Sequence, residues 1–302
     1  MSQSTTVRAS VQPGGSVRVS VQVRPKFDQS ARRPDPLAVR LPDIPTVPEV
    51  WRGATYVLRK LLGSGNTNPK LRKSNAAGTP FQTWGLALAP AKESGFQLCS
   101  SSSPACRAGC LYRQGHARLD HTIAACRIAK SVALREHRGW FKAQLLHELG
   151  VLVRRADAGG LRVAVRLNLT SDVLWERVLP DLFWRFPAVQ FYDYTKHVSR
   201  MLRFLGGDLP RNYHLTFSRS EDNDLQCRDV LDAGGNVAVV FRSREFPTRF
   251  LGAPVIDGDE TDLRFMDPAG VVVGLSAKGT AKTDTSGFVV DADRPRLTLH
   301  TV

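Results

Sequence analysis

"LRVAVRLNLTSDVLWERVLPDLFWRFPAVQFYDYTK", residues 161–196, decides the fold. Its first eight residues are a short run of mostly apolar and β-branched side chains, the pattern of a strand buried on both faces. "SDVLWERVLPDLFWRF" then places apolar residues at helical spacing, and "VQFYDYTK" returns to strand. Strand, helix and strand in so short a span imply a right-handed crossover between parallel neighbours.

The rhythm continues on both sides. Downstream, "SRMLRFLGG" reads as helix, "NYHLTFSRS" as strand, "LQCRDVLDAGG" as helix and "NVAVVF" as strand, with "APVIDGD" and "VVVGLSAKG" as two further strands. Upstream, residues 121–160 read as two helices meeting near Gly139 and stopped by Gly159 and Gly160. Before them "FQTWGLALAP" is a buried strand ending at Pro90, and "VWRGATYVLRKLL" has helical spacing. The series predicts an α/β fold, a (β/α) barrel-like domain of the TIM type, complete or partial, over residues 51–302. Residues 1–50 carry Pro13, Pro25, Pro34, Pro36, Pro42, Pro45 and Pro48, and are expected to form a Pro/Arg-rich N-terminal extension, largely extended, with one exposed strand in "SVRVSVQVRP".

Composition bounds the function. The 302 residues hold 42 Lys+Arg against 28 Asp+Glu, a net charge of +14 that favours phosphate-bearing partners, either nucleic acid or a nucleotide substrate. The basic residues are spread out, densest at Arg59, Lys60, Lys70, Arg72 and Lys73 and along a helix at Arg127, Lys130, Arg135 and Arg138, each equally readable as a solvated face. No stretch approaches a membrane span, and the N-terminus lacks the apolar block of a secretory signal, so a cytoplasmic location is expected. Neither GxxxxGK[ST] nor HExxH occurs, which sets aside P-loop NTPases and the common zinc proteases.

Three of the five cysteines lie in "CSSSSPACRAGC", where six residues separate Cys99 from Cys106 and three separate Cys106 from Cys110. Thiols clustered in a loop in a reducing compartment point to a metal site. The choice is an iron–sulfur cluster with one iron left open, or zinc with Cys126, His116 or His121 as fourth ligand. Cys227 sits in a helical pattern and is expected in the core. Because this loop follows the first strand of the series, its thiols should share the C-terminal mouth with the polar residues where later strands run out. Those are Asn168, Ser171 and Asp172, then Asp193 and Lys196, then Ser218 and Arg219, then Asp257 and Asp259. Asp172, Asp193, Lys196, Asp257 and Asp259 are the candidate catalytic groups, and Asn168, Ser171, Ser218 and Arg219 the candidate cofactor-binding ones. For each alone a helix cap or turn is the competing role, and Asp172 and Ser218 suit capping. Lys278, in the C-terminal "AKGTAKTDTSGFVV", is within reach of the same mouth or on the surface.

"RLNLTSDVLWE", "VQFYDYTKH", "NYHLTFSRSEDND", "GGNVAVVF", "VIDGDETDLRFMDP" and "VVGLSAKGTAKTDTSGFVV" resemble successive blocks of the gene-product-88-like group of phage and prophage proteins, over roughly residues 62–290. The resemblance implies a phage or mobile-element context and a cysteine-bearing loop shared with relatives, and brings no activity with it. The three-cysteine loop after the first barrel strand is also similar in architecture to radical S-adenosylmethionine enzymes, although their cysteines are spaced by three and then two residues and their "GGE" block is missing here. That likeness implies a cluster on Cys99, Cys106 and Cys110 with S-adenosylmethionine at the open iron, and Asp172, Asp193, Lys196 and Asp257 lining the pocket. Two other readings stand beside it. One is a nucleobase-modifying transglycosylase with an aspartate nucleophile, whose usual C-x-C-x2-C zinc pattern is absent; the other is a zinc-stapled, non-catalytic nucleic-acid-binding protein.

Overall fold

The structure, a computed structural model, describes residues 3–11, 17–25, 32–75, 79–113 and 120–291. The chain divides into two compact units, Met1–Arg32 and Arg33–Val302. The first is an antiparallel hairpin of β1 (Gln3–Val11) and β2 (Val17–Pro25), with Val7 opposite Val21. The sequence suggested one exposed strand there, and it pairs with a second. The main unit begins well before the compositional break near residue 50. Val39 on β3 (Leu37–Arg40), Leu41 and Val47 are buried in it, and β3 pairs antiparallel with β4 (Thr55–Leu58).

The predicted helix over "VWRGATYVLRKLL" is replaced by β4 and by β5 (Leu62–Ser64). Gly53, with φ of +62°, turns the chain, and the β-branched and aromatic run Thr55-Tyr56-Val57 favours a strand once β3 offers an edge.

The large sheet has ten strands. In spatial order β11 (Arg249–Phe250), β12 (Ala253–Asp257), β13 (Val272–Ser276), β10 (Val237–Phe241), β9 (Tyr213–Ser218), β8 (Val189–Thr195), β7 (Arg162–Arg166), β6 (Phe81–Leu86) and β5 lie side by side. Every neighbouring pair in that path is parallel except the outermost, β11 with β12 and β5 with β6. The end strands do not pair with each other, so the expected barrel is not closed. Closure needs the first and last strands to hydrogen-bond, and both edges here are short strands turned antiparallel. The last strand, β14 (Val289–Val290), joins the edge of β10 that β9 occupies only at Val237 and Ala238. β9 and β10 therefore splay apart at their C-terminal ends, with β14 wedged between.

The open sheet is nevertheless curled. Gly258 still bonds β13 through Gly274, yet Asp262 reaches Arg166 on β7 at 2.9 Å. In a flat sheet five strand spacings would separate them by about 24 Å. The chain from Gly258 to Asp262 runs through a turn at 258–260 rather than extended, so with two side chains it covers that distance only if the sheet bends. Asp262 N also donates to Ser74 Oγ, and Lys73 Nζ to the Asp259 carbonyl, lacing one end of the sheet to the other.

The short α1 (Pro69–Arg72) packs Leu71 with Phe81, Tyr192 and Leu263 on the concave side, and α2 (Pro104–Ala108) lies at the C-terminal edge. The longer helices cover the convex face: α3 (His121–Glu136) and α4 (Arg138–Ala158) meet at His137 and form the crossover into β7. The predicted single helix between β7 and β8 is two turns, α5 (Trp175–Val178) and α6 (Leu182–Arg185), broken by Pro180. Next, α7 (Val198–Leu205) packs on β8 and β9, and α8 (Asp224–Asp232) on β9 and β10. No helix among the described residues is long and apolar enough to cross a membrane. On the concave face Phe265 packs edge-on against Phe81 and Tyr192.

A polar layer lies beside them. His214 and Thr216 of β9 face Arg264 and Asp267, and His214 Nε2, Thr216 Oγ1 and Arg264 Nε are buried without hydrogen-bond partners. Burial, reinforced by the Arg264 charge, pushes His214 down to about 4, while burial pushes Asp267 up to about 6 against the pull of Arg264. A histidine that cannot take a proton when folded contributes stability that is complete above its unfolded value near 6.5 and is lost as pH falls toward 4. Asp267 has the opposite sign over about 4 to 6. The His214→Phe variant, which keeps the edge contact with Phe204, removes the histidine contribution alone. Chemical denaturation should show the wild type losing roughly 2 to 3 kcal/mol more than His214→Phe between pH 7 and 4.5; parallel pH profiles would rule this out.

Candidate active site

The cysteine loop is built by local turn chemistry and then fastened across the strand ends. Ser102 folds back on the Cys99 carbonyl, and Ser103 caps α2 by accepting from Cys106 N, with Pro104 at the first helical position. Glu221, from the loop after β9, accepts from Ser103 Oγ at 2.6 Å and Ala105 N at 3.1 Å. Asp172 N, after β7, donates to the Leu98 carbonyl. His197, after β8, contacts Ser100 and Ser101 through its two ring nitrogens at 3.3 and 2.9 Å. Thr280, after β13, donates to the Ala108 carbonyl. Four strand-end loops thus hold one cysteine loop over the C-terminal edge of the sheet, where parallel α/β proteins place their ligands.

A cavity of about 340 Å³ lies beneath it. Cys99, Cys106 and Cys110 all line it, together with Asn168, Ser171, Asp172, Lys196, Ser218 and Asp259 from the sequence candidates, and Lys278. Asp193, Arg219 and Asp257 do not. On β8, Tyr192 and Tyr194 face the concave side, so Asp193 between them faces the helices. There it accepts from Asn168 N at 2.6 Å, Asn168 Nδ2 at 3.1 Å and Tyr213 OH at 2.7 Å, and burial pushes it up to about 7 against the pull of Arg200 and Tyr213. Arg219 donates to Asp224 and to the Gly287 carbonyl, anchoring the chain just before β14. Asp257, exposed at the end of β12, accepts from Asp259 N.

Most polar lining groups already have partners. Asn168 Oδ1 accepts from Ser171, Val173 N and Trp175 Nε1, which fixes the turn after β7. Asp172 accepts from Lys196 N at 2.8 Å and Arg200 at 3.3 Å, so it acts as a brace rather than a helix cap. Lys196 is half-buried, and its Nζ donates to Ser218 Oγ at 2.8 Å, to the Arg219 carbonyl at 2.9 Å and to the Ser218 carbonyl at 3.2 Å, pinning the splayed end of β9; loss of solvent lowers its pKa. Asp259 accepts from Lys278 at 2.6 Å and from Ser276; burial works against its charge, but these bonds hold the carboxyl below its usual range.

The three thiols complete the lining, and Cys99 Sγ donates to the Thr170 carbonyl at 3.9 Å. Burial pushes Cys99 up to about 12, with the Asp172 charge and the other two thiols adding to it. Cys106 is raised by burial and drawn back by the Lys196 charge. Among the described residues no three His, Cys, Asp or Glu side chains converge on a point that would hold a single metal ion. Of the proposed fourth ligands, His121 and Cys126 do not line the cavity, and His116 lies outside the described residues. Cys227 is fully buried on α8.

Two arginines escaped the sequence reading: Arg200, whose fork joins Asp172, Glu176 and Tyr213, and Arg166, paired with Asp262 on the cavity wall. The signal for Arg166 was present, because a charge at the end of a buried strand needs a partner.

A family model described as gene product 88 matches residues 58–292. The chain belongs to the gene product 88 family. The matched span takes in every strand of the ten-stranded sheet and every residue lining the cavity, so the cysteine loop and its supports lie within the gene product 88 region. No curated protein and no solved structure matches the chain, and nothing in these comparisons supports the likeness to radical S-adenosylmethionine enzymes.

Proposed function

We propose that this gene product 88 family member is an enzyme whose active site is the cysteine-bearing cavity, with Cys99, Cys106 and Cys110 holding an iron–sulfur cluster. The observation that carries the reading is that these three thiols line one cavity at the C-terminal edge of a parallel sheet. Thiolates are donors to both zinc and iron–sulfur clusters. Zinc needs its ligands gathered at one point, and no such set exists among the described residues. A cluster binds each thiolate through a different iron, so its ligands stand apart, and the donor set fits it better.

When bound, the cluster would supply one-electron chemistry at an iron left without a protein ligand. The chain does the rest. Lys196 sets a positive charge beside Cys106 and offsets the charge of a thiolate there. Asp172 holds the start of the loop, Glu221 its middle, and Thr280 the end of α2. The size of the cavity favours a nucleotide or another small phosphorylated molecule as substrate over a nucleic-acid strand. S-adenosylmethionine as co-substrate rests on the sequence resemblance alone.

The test is iron, sulfide and zinc content of protein purified without oxygen, with its visible spectrum and an assay for consumption of S-adenosylmethionine. About four irons and four sulfides per chain, with broad absorbance that fades in air, are expected. Stoichiometric zinc without colour, or no metal at all, would overturn the cluster.

A further inference from the structure

Arg166 closes β7, and its guanidinium forms part of the cavity wall. The side chain is 6% exposed and Cζ lies 4.4 Å from the centroid of the Tyr194 ring. One nitrogen alone, Nη1, makes its ion pair, donating to the two carboxylate oxygens of Asp262 at 2.9 and 3.0 Å. Nε is buried without a partner. Nη2 makes no hydrogen bond within the protein and is not among the fully buried atoms that lack one, which leaves it accessible from the cavity. The Nε and Nη2 edge is the fork with which arginine grips a carboxylate or phosphate through two parallel N–H bonds. That edge has no partner within the protein, and Asp262 on one side and the Tyr194 ring beneath hold it in place.

We propose that Arg166 is the anion-recognising residue of the cavity and that its ligand is a small molecule carrying a phosphate or carboxylate on an apolar or aromatic body. Asp262 neutralises and orients the guanidinium without using the fork. Lys73 and Lys278, both bonded to Asp259, add positive charge to the lining. Leu169, Leu275 and Phe288 supply an apolar surface for the body of the ligand, and the volume is that of a small-molecule site. The inference deepens the proposed substrate class but does not depend on the cluster.

Phenyl phosphate, benzoate and neutral benzamide, titrated calorimetrically into the wild type and Arg166→Lys, test it. Lysine keeps a cation beside Asp262 but has no fork. The two anions should bind the wild type at least tenfold more tightly than benzamide, and the tighter anion identifies phosphate or carboxylate as the native group. Arg166→Lys should weaken the anions by ten- to a hundredfold, the size of a charge-assisted hydrogen bond of about 1.5 to 3 kcal/mol, and leave benzamide unchanged. Equal binding of anions and benzamide, no binding of either anion, or undiminished binding by a folded Arg166→Lys would overturn the assignment. If the variant does not fold, the wild-type comparison decides alone. None of these probes reports on metal, so failure here leaves the cluster reading intact, and metal-free protein leaves this one intact.

Discussion

Replacing Arg200 with leucine will cost about 3 to 5 kcal/mol of stability, the range for breaking one side of a buried charge network. The guanidinium is 2% exposed and bonds Glu176 with Nε and Nη2, Asp172 with Nη1, and the Tyr213 hydroxyl, which in turn donates a hydrogen bond to Asp193. Leucine would leave Glu176 without its arginine and Asp172 with only His197 at 4.0 Å and the neighbouring Lys196 to offset its charge. Glu176, 6% exposed, carries most of the desolvation cost, while Asp172 borders the cavity and carries less of it. Denaturant unfolding should show the midpoint falling steeply for Arg200→Leu, while Arg228→Ala, exposed on α8, stays within about 0.5 kcal/mol of the wild type. Adding Glu176→Leu to Arg200→Leu should restore part of the loss, because it removes one of the stranded charges. If the single variant is as stable as Arg228→Ala, the network does not hold the strand ends together.

Arg200 also shows where a sequence reading stops. The alternation of strands and helices from residue 161 onward was legible because parallel strands buried on both faces are written as short apolar runs between helical spacings. "VAVR", "FYDYT" and "VAVVF" became β7, β8 and β10 for that reason. Closure was not legible: it depends on whether the first and last strands meet, and no local pattern reports that. The gathering of strand-end residues around one cavity was legible too, since they converge on one edge whatever the curvature. What failed was the side of the sheet. A position near a strand end faces the cavity or the helices according to a parity of one residue, which separates Tyr194 from Asp193 and Ser218 from Arg219. Serine and asparagine around Asn168 read equally well as ligands or as turn formers, and the structure shows their bonds turned inward on the chain. The cysteines needed no parity argument, because a loop carried across the mouth by four others brings all three to the cavity.

For that reason the cysteine series should give the largest functional effect. Cys99→Ala, Cys106→Ala and Cys110→Ala should each abolish retention of iron and sulfide, whereas Cys126→Ala and Cys227→Ala should retain both. The three loop thiols are partly exposed. Removing one sulfur from a loop fixed by Glu221, Asp172, His197 and Thr280 leaves those fastenings in place, so thermal stability of the metal-free proteins should stay close to that of the metal-free wild type. Cys227 behaves oppositely. It is fully buried and its thiol lies 3.5 Å from Asn223 Oδ1, so alanine there should open a small cavity and cost stability without changing retention of iron and sulfide. Loss of metal and loss of stability are thereby predicted to separate: one in the loop without the other, the other at Cys227 without the first. Retention in any one loop variant would remove that cysteine from the ligand set, and retention in all three would return the loop to a purely structural role. The separation holds because the thiols are presented by hydrogen bonds between loops rather than by packing, and a site presented that way can lose its chemistry while its architecture stands.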